Sequence, residues 1–408
     1  MDRGTNYYTY FSRKPSFILE LLDSFIHHGP NGEHICQVFN VMVPSVSDTI
    51  HIPALRSPKI GRLISLGLYP LPIVKWILRD TLRGLRQMHS AGLVHADLHL
   101  RNILFTPNFI QRYSVKVLTN VHNKGYILNQ KDPGDIERYP KYLYPPNPLY
   151  SFTTIWIDVS PRVMLADLGF GKKDPRSRHP PIRLLTWISA FQVDRPCDAR
   201  SGVPAFLRVP EEVLCRPLGT GIDIWAFGCL IYELVASRQL FCVEQLEGGS
   251  LDEMTNDDHL MQMNEIVGFM PPSLTSQWRR ASSYYDKEGC LRVGTGPRPL
   301  NADGFNYDQS SRSNGDESEF SDSIESCLES GDSGDNGREA PLARSRPFDS
   351  LEESFQNIKR DDIEEDEKRE VIRLIRKCLQ YDPANRPSAS MLLSEEPWFH
   401  SADECNID

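Results

Sequence analysis

Paired-cysteine spacing is missing from this sequence: its nine cysteines are odd in number and none stands in a C-x-x-C pair. A disulfide framework and a zinc-ribbon site are therefore excluded, and the thiols are expected to be reduced, as in a cytosolic or nuclear protein. Long apolar runs are missing too. The best, Ile224 to Tyr232, is far short of the ~20 residues a membrane span needs. The opening MDRGTNYYTYFSRKPS has no apolar core of a signal peptide. A soluble, intracellular protein in the cytoplasm, the nucleus or both is expected, without membrane attachment. Positive charge is not in surplus: 45 Lys and Arg face 55 Asp and Glu, a formal net charge of −10, which argues against direct nucleic-acid binding. No period of 20 to 50 residues recurs, which excludes a repeat architecture. What is present is ordinary for a globular protein, with 40% hydrophobic and 25% charged residues, and 408 residues allow two or three domains at roughly 150 each.

The charge is uneven. Residues 303–335 hold ten Asp/Glu, nine Ser and one Arg, a composition that cannot bury enough apolar surface to offset ordering entropy. Residues 301–350 are expected to form an acidic, Ser-rich disordered insertion. The stretch from about 106 to 161, rich in Tyr, Pro and Asn, reads as a partly packed excursion. Before them, FILELLDSF (17–25) and HICQVFNVM (34–42) flank Gly29-Pro30-Asn31-Gly32, which predicts a β-hairpin. Leu71 to Ser90 places Ile77, Leu78, Leu82, Leu85 and Met88 at helical spacing, ended by Ala91-Gly92. Further helices are predicted over 221–237, 258–269 and 365–379.

The sharpest chemical signal is Val94-His95-Ala96-Asp97-Leu98-His99-Leu100-Arg101-Asn102-Ile103-Leu104, an H-x-D-x-x-x-x-N loop between a helix and an apolar strand. Phosphoryl transfer needs these types: a carboxylate to accept a hydroxyl proton, and five residues on an amide oxygen that reaches Mg²⁺. The alternation His95, Asp97, His99 also allows an H-x-D-x-H metal site, but no further His/Cys cluster accompanies it. A polar turn without chemistry is the plain structural reading. Downstream, Val163 to Leu165 is an apolar strand leading to Asp167-Leu168-Gly169, suited to a second Mg²⁺ ligand on a turn. Then come Arg208-Val209-Pro210-Glu211-Glu212, Gly221-Ile222-Asp223-Ile224-Trp225 and Tyr381-Asp382-Pro383-Ala384-Asn385-Arg386-Pro387.

In that order these motifs resemble the eukaryotic protein kinases, most closely the SR-protein kinase group, over roughly residues 15 to 400 outside the acidic insertion. The resemblance implies an α+β, protein kinase-like two-lobe fold. Its N-terminal β lobe would be incomplete, with residues 1–45 as the remnant and hinge. The mostly helical C-terminal lobe would span 46–300 and 351–400, with a tail at 401–408. It implies ATP and Mg²⁺ as cofactors and transfer of the γ-phosphate to Ser or Thr of protein substrates, including Arg/Ser-rich ones. Asp97 would be the catalytic base, joined by His99 and Asn102. Asn102 and Asp167 would hold Mg²⁺, Phe39 would be the gatekeeper, and Asn40, Val41 and Met42 would meet adenine. Residues 167–211 would form the activation segment. Glu211 would pair with Arg386, Asp223 would anchor the catalytic loop, and His95 would be structural.

The departures are as specific. No G-x-G-x-x-G turn precedes Phe39, and Lys14 stands before Pro15 without a strand pattern, so the phosphate-covering loop, the strand Lys and its Glu partner are not readable. A shortened reading frame and a chain that works without these parts both account for that. Ala96 replaces the Arg that receives a phosphorylated activation segment in many kinases. His99 replaces a Lys that would neutralise the transferred phosphate; a partly charged imidazole is a poorer clamp. Two alternatives stay open: a pseudokinase or binding module, and a small-molecule kinase resembling the aminoglycoside and choline kinases, whose loop reads H-x-D-x-H-x-x-N. The oligomeric state is not readable.

Overall fold

The computed structural model describes residues 16–29, 32–42, 45–49, 68–106, 126–127, 142–143, 162–168, 191–192, 203–243, 249–286, 348–358 and 360–400. Lys14, Gly169, the acidic stretch up to residue 347 and most of the 106–161 excursion lie outside them. The hairpin forms: β1 (Leu21–Gly29) pairs antiparallel with β2 (Gly32–Phe39), Ile26 opposite Ile35 and His27 opposite His34. Gly32, at φ 115°, takes a conformation open to glycine. β1 starts four residues later than FILELLDSF suggests, because Phe17 to Leu19 pair elsewhere. The Leu19 amide donates to the Leu165 carbonyl at 2.8 Å, and the Leu165 amide to Phe17 at 2.9 Å. This buries Ile18 and Leu19, whereas Phe25, Ile26 and Ile35 on the hairpin are about half exposed.

Helix α1 (Leu71–Ser90) has the bounds that its periodicity predicts, with its apolar stripe buried. It leads into β3 (Leu93–Val94), which pairs with β6 (Phe191–Gln192). A one-turn 3₁₀ helix, Leu100–Asn102, then enters β4 (Ile103–Phe105), paired antiparallel with β5 (Val163–Leu165) so that Ile103 faces Leu165. At Gly84, α1 comes so close to this pair that a Cβ would stand 2.8 Å from the Leu165 side chain.

The core centres on α3 (Gly221–Ala236), preceded by the single turn α2 (Pro210–Val213). Helix α3 is apolar on nearly every side and accordingly buried on nearly every side. It packs against α1 and α6 (Glu365–Cys378), so tightly at Gly228 that a Cβ would meet Cys378 at 2.7 Å. Helix α4 (Gly249–Ile266) starts nine residues before the predicted 258 and stops before Phe269. Its buried residues include Thr255, Asp257, His259, Gln262, Asn264 and Glu265, so hydrophobic spacing could not delimit it. Past the acidic stretch, Ser350 caps α5 (Leu351–Gln356), its hydroxyl accepting from the Glu353 amide while Glu353 accepts from the Ser350 amide. Helix α7 (Ala389–Glu395) packs on α1. Among the described residues the strands all lie before residue 193, and helices dominate after residue 70, an α+β arrangement. No helix among the described residues is long and apolar enough to cross a membrane.

Candidate active site

The loop between β3 and β4 carries Asp97, and its foundation is a buried carboxylate 126 residues away in sequence. Asp223, in the first turn of α3, accepts from the amides of His95 and Ala96, each at 2.8 Å, and from His89 Nε2 at 2.8 Å. Burial works against its charge, but these donors hold the carboxyl below its ordinary value. Ala96 can therefore be kept at φ 60°, a left-handed conformation that costs a non-glycine residue about 1–2 kcal/mol.

His95 ties the loop to β5. Its Nε2 donates to the Ala166 carbonyl at 3.1 Å, and its Nδ1 accepts the Asp97 amide at 3.3 Å. Complete burial lowers its pKa, so the ring is neutral and bridges by hydrogen bonds alone. Asn102 makes a second tie: its carbonyl accepts the Ala166 amide at 2.8 Å. The pairing of β4 with β5 thereby brings Asp167 beside Asn102, though 65 residues separate them.

At the open side of the loop, the Asn102 side-chain NH₂ reaches the Asp97 carbonyl at 3.0 Å and Asp97 Oδ2 at 3.4 Å. Its amide oxygen is left as the group for an outside ligand. Asp97 Oδ1 is buried and has no hydrogen-bond partner. Burial, and then the negative charge of Asp167, push the Asp97 carboxyl up to about 7, with the Asn102 hydrogen bond acting the other way. Asp167 is itself at φ 56°, in the left-handed region that Asp tolerates better than most.

A divalent cation suits this arrangement. Two carboxylates that repel and an amide oxygen are hard oxygen donors, and the orphaned Oδ1 marks a place built for a partner. Asn102 and Asp167 would hold the cation.

His99 caps the 3₁₀ turn, its Nδ1 accepting the Arg101 amide at 3.2 Å. Its Nε2 is 3.5 Å from Asp97 Oδ1. Burial, then the neighbouring His95 ring and the charge of Arg101, press its pKa down to about 4, so the partly charged imidazole expected near pH 7 is uncharged here.

Glu211 and Arg386 meet in a two-pronged buried ion pair at 2.6 and 2.8 Å. Arg386 also donates to the carbonyls of Gly221 and Gln380 and lies 5.1 Å over the Trp225 ring. Phe39 ends β2 and, with Met42, packs against the core, while Asn40 and Val41 are exposed. Of the 167–211 segment, only Asp167, Leu168, β6 and residues from 203 on are described. No sequence pattern pointed to His89, whose partner Asp223 is 134 residues away; only the need of a buried carboxylate for donors points to it.

Comparison with known proteins bears on this geometry. Residues 154–399 match the family model described as "Protein kinase domain". The serine/threonine-protein kinase SRPK of Physarum polycephalum is 27% identical over 281 residues, covering 67% of this chain and 58% of that protein. The protein kinase dsk1 of Schizosaccharomyces pombe is 22% identical over 334 residues, with the same two coverages. The serine/threonine-protein kinase SKY1 of Saccharomyces cerevisiae is 38% identical over 85 residues, 21% of this chain and 11% of that protein. The chain thus spans 58% of the length of the first two relatives.

Proposed function

This chain belongs to the protein kinase family and is SR-protein-kinase-like within it, and we propose that it transfers the γ-phosphate of ATP to Ser or Thr hydroxyls of protein substrates. The observation that carries this reading is the meeting of Asp97, Asn102 and Asp167, from segments flanking two strands joined by β pairing, around an unpartnered Asp97 oxygen.

Asp97 Oδ1 is the acceptor for the proton of an incoming hydroxyl. A carboxyl that titrates at about 7 is a better-matched base at neutral pH than an ordinary one. Asn102 holds the other carboxylate oxygen and the Asp97 backbone, so the base keeps its direction through the reaction. Mg²⁺ held by Asn102 and Asp167 would supply charge neutralisation at the transferred phosphate. The exposed run Asn40 to Val41, whose amides make no backbone hydrogen bond among the described residues, supports a place for adenine. Substrates that include Arg/Ser-rich proteins, and a cytoplasmic or nuclear location, rest on the likeness to the relatives.

A non-catalytic nucleotide-binding module is the second reading, and one observation favours it. No Lys occurs from Ser16 to Met42, and the hairpin leaves Phe25, Ile26, Ile35 and Val38 exposed on its two faces. The two readings separate in one experiment: nucleotide binding and transfer to an Arg/Ser-rich peptide, each with Mg²⁺ and with EDTA. The kinase reading expects transfer that falls at least about 100-fold in Asp97→Ala, and Mg²⁺-dependent binding lost in Asp167→Ala. Binding without transfer establishes the second reading, and neither binding nor transfer defeats both.

A further inference from the structure

His99 stands beside the catalytic carboxylate with one ring nitrogen already committed. Nδ1 accepts the Arg101 amide hydrogen at 3.2 Å, so it cannot carry a hydrogen of its own. An imidazolium would turn an N–H against that amide N–H. The geometry therefore selects a neutral ring protonated on Nε2, and Nε2 is the atom 3.5 Å from the orphaned Asp97 Oδ1. That distance is longer than a formed hydrogen bond, as is common at catalytic contacts that tighten only when the reactants are bound. The two side chains are 22% and 15% exposed, so water competes little for the contact.

We infer that His99 is a positioning residue for Asp97: a neutral Nε2–H donor that fixes the carboxylate's direction from one side while Asn102 fixes it from the other. This rests on the kinase reading above. It differs from the expectation that His99 stands in for a cation on the transferred phosphate, since a ring held in this form bears no charge. It also excludes a proton relay. The Nε2 lone pair belongs to the ring's π system once that nitrogen is protonated, so the proton gained by Asp97 cannot pass to His99.

The first test needs no activity. In the ¹⁵N-histidine-labelled full chain at neutral pH, long-range ¹H–¹⁵N correlation should show His99 as the Nε2–H tautomer; among the 11 histidines, its signals are those lost in His99→Gln. An imidazolium or an Nδ1–H pattern overturns the inference whether or not the chain transfers phosphate. The second test uses kinetics. His99→Leu should lower kcat at least tenfold with the KM for ATP within twofold of the parent, and His99→Gln, which keeps an N–H at the same reach, should recover kcat to within threefold. A gain in kcat and a fall in the ATP KM for His99→Lys, with His99→Gln as poor as His99→Leu, would show a cation's role and overturn it. A parent without transfer would defeat the kinase reading alone, and the tautomer would still decide the state of His99. Matching melting temperatures and circular dichroism confirm that the variants fold.

Discussion

Asp223 and Asp97 lie on opposite sides of one loop, and the protein treats them in opposite ways. Beneath the loop, Asp223 receives two backbone amides and an imidazole, all at 2.8 Å. Nearby, Glu211 and Arg386 saturate each other and two backbone carbonyls. At the open edge, Asp97 has a nearly buried carboxylate with one oxygen unpartnered, a repelling neighbour in Asp167 and donors that stop at 3.4 and 3.5 Å. Buried charge is stabilising only when its hydrogen-bonding capacity is met. The foundation meets it, and its rigidity lets the edge go without. Stability and reactivity are thus placed about one loop's width apart, and they should respond to substitution with opposite signs.

The largest effect is expected in the foundation. Glu211→Ala leaves Arg386 as an uncompensated buried charge and should cost about 3–5 kcal/mol in urea unfolding followed by tryptophan fluorescence. A loss near 1 kcal/mol would mean that the carbonyls of Gly221 and Gln380 satisfy the guanidinium by themselves.

Next comes Asp223→Asn. Its amide keeps one accepting oxygen, so at least one of the His95 and Ala96 amides loses its partner, and the positive-φ turn at Ala96 loses support. The expected cost is about 2–3 kcal/mol, together with faster amide exchange at Ala96 and Asp97. Unchanged exchange at those two amides would show that the loop holds its shape without the anchor.

The edge should answer the other way. Asp97 is raised from 3.8 to about 7 in the folded chain, so between those values the folded state binds a proton that the unfolded state has released. Stability must then fall as pH rises through this window, and the penalty is complete by pH 8. Asp97→Asn removes the penalty. It should stabilise the chain at pH 8, on the order of 2 kcal/mol, and do nothing below pH 4, while abolishing transfer. A variant that is less stable at pH 8 than its parent would erase the contrast between foundation and edge.

Local pattern carried much of this arrangement. The apolar stripe of Leu71–Ser90 gave α1 its limits, with Gly92 at φ 72° turning the chain just beyond it. Gly29 and Gly32 marked the hairpin. The limits of α4 stayed hidden, because more than half of its buried side chains are polar and their partners come from elsewhere. Asp257 takes hydrogens from Trp278 and Tyr284, Gln262 bonds the Cys242 backbone, and Asn264 accepts the Met270 amide. Phe17 to Leu19 looked like the start of β1 because their apolar character does not say which neighbour they pair with. The choice of β5 was made where the backbone bonds and burial were both available.

What the sequence by itself determined was which groups share a loop. The spacing H-x-D-x-x-x-x-N lets the Asn102 side chain reach back to Asp97, and the two-residue step from His99 to Arg101 lets an amide find Nδ1. These are short-range contacts that fixed bond lengths impose on neighbouring residues. Only the tertiary structure decided the states of those groups. Asp97 titrates at about 7 because burial removes water from it and β5 brings Asp167 near. His99 is uncharged because the loop buries it beside His95 and the Arg101 charge. Solvation and Coulomb interactions depend on distance through space, and that distance was set by elements carrying Asp167 and Asp223, 70 and 126 residues from Asp97 along the chain.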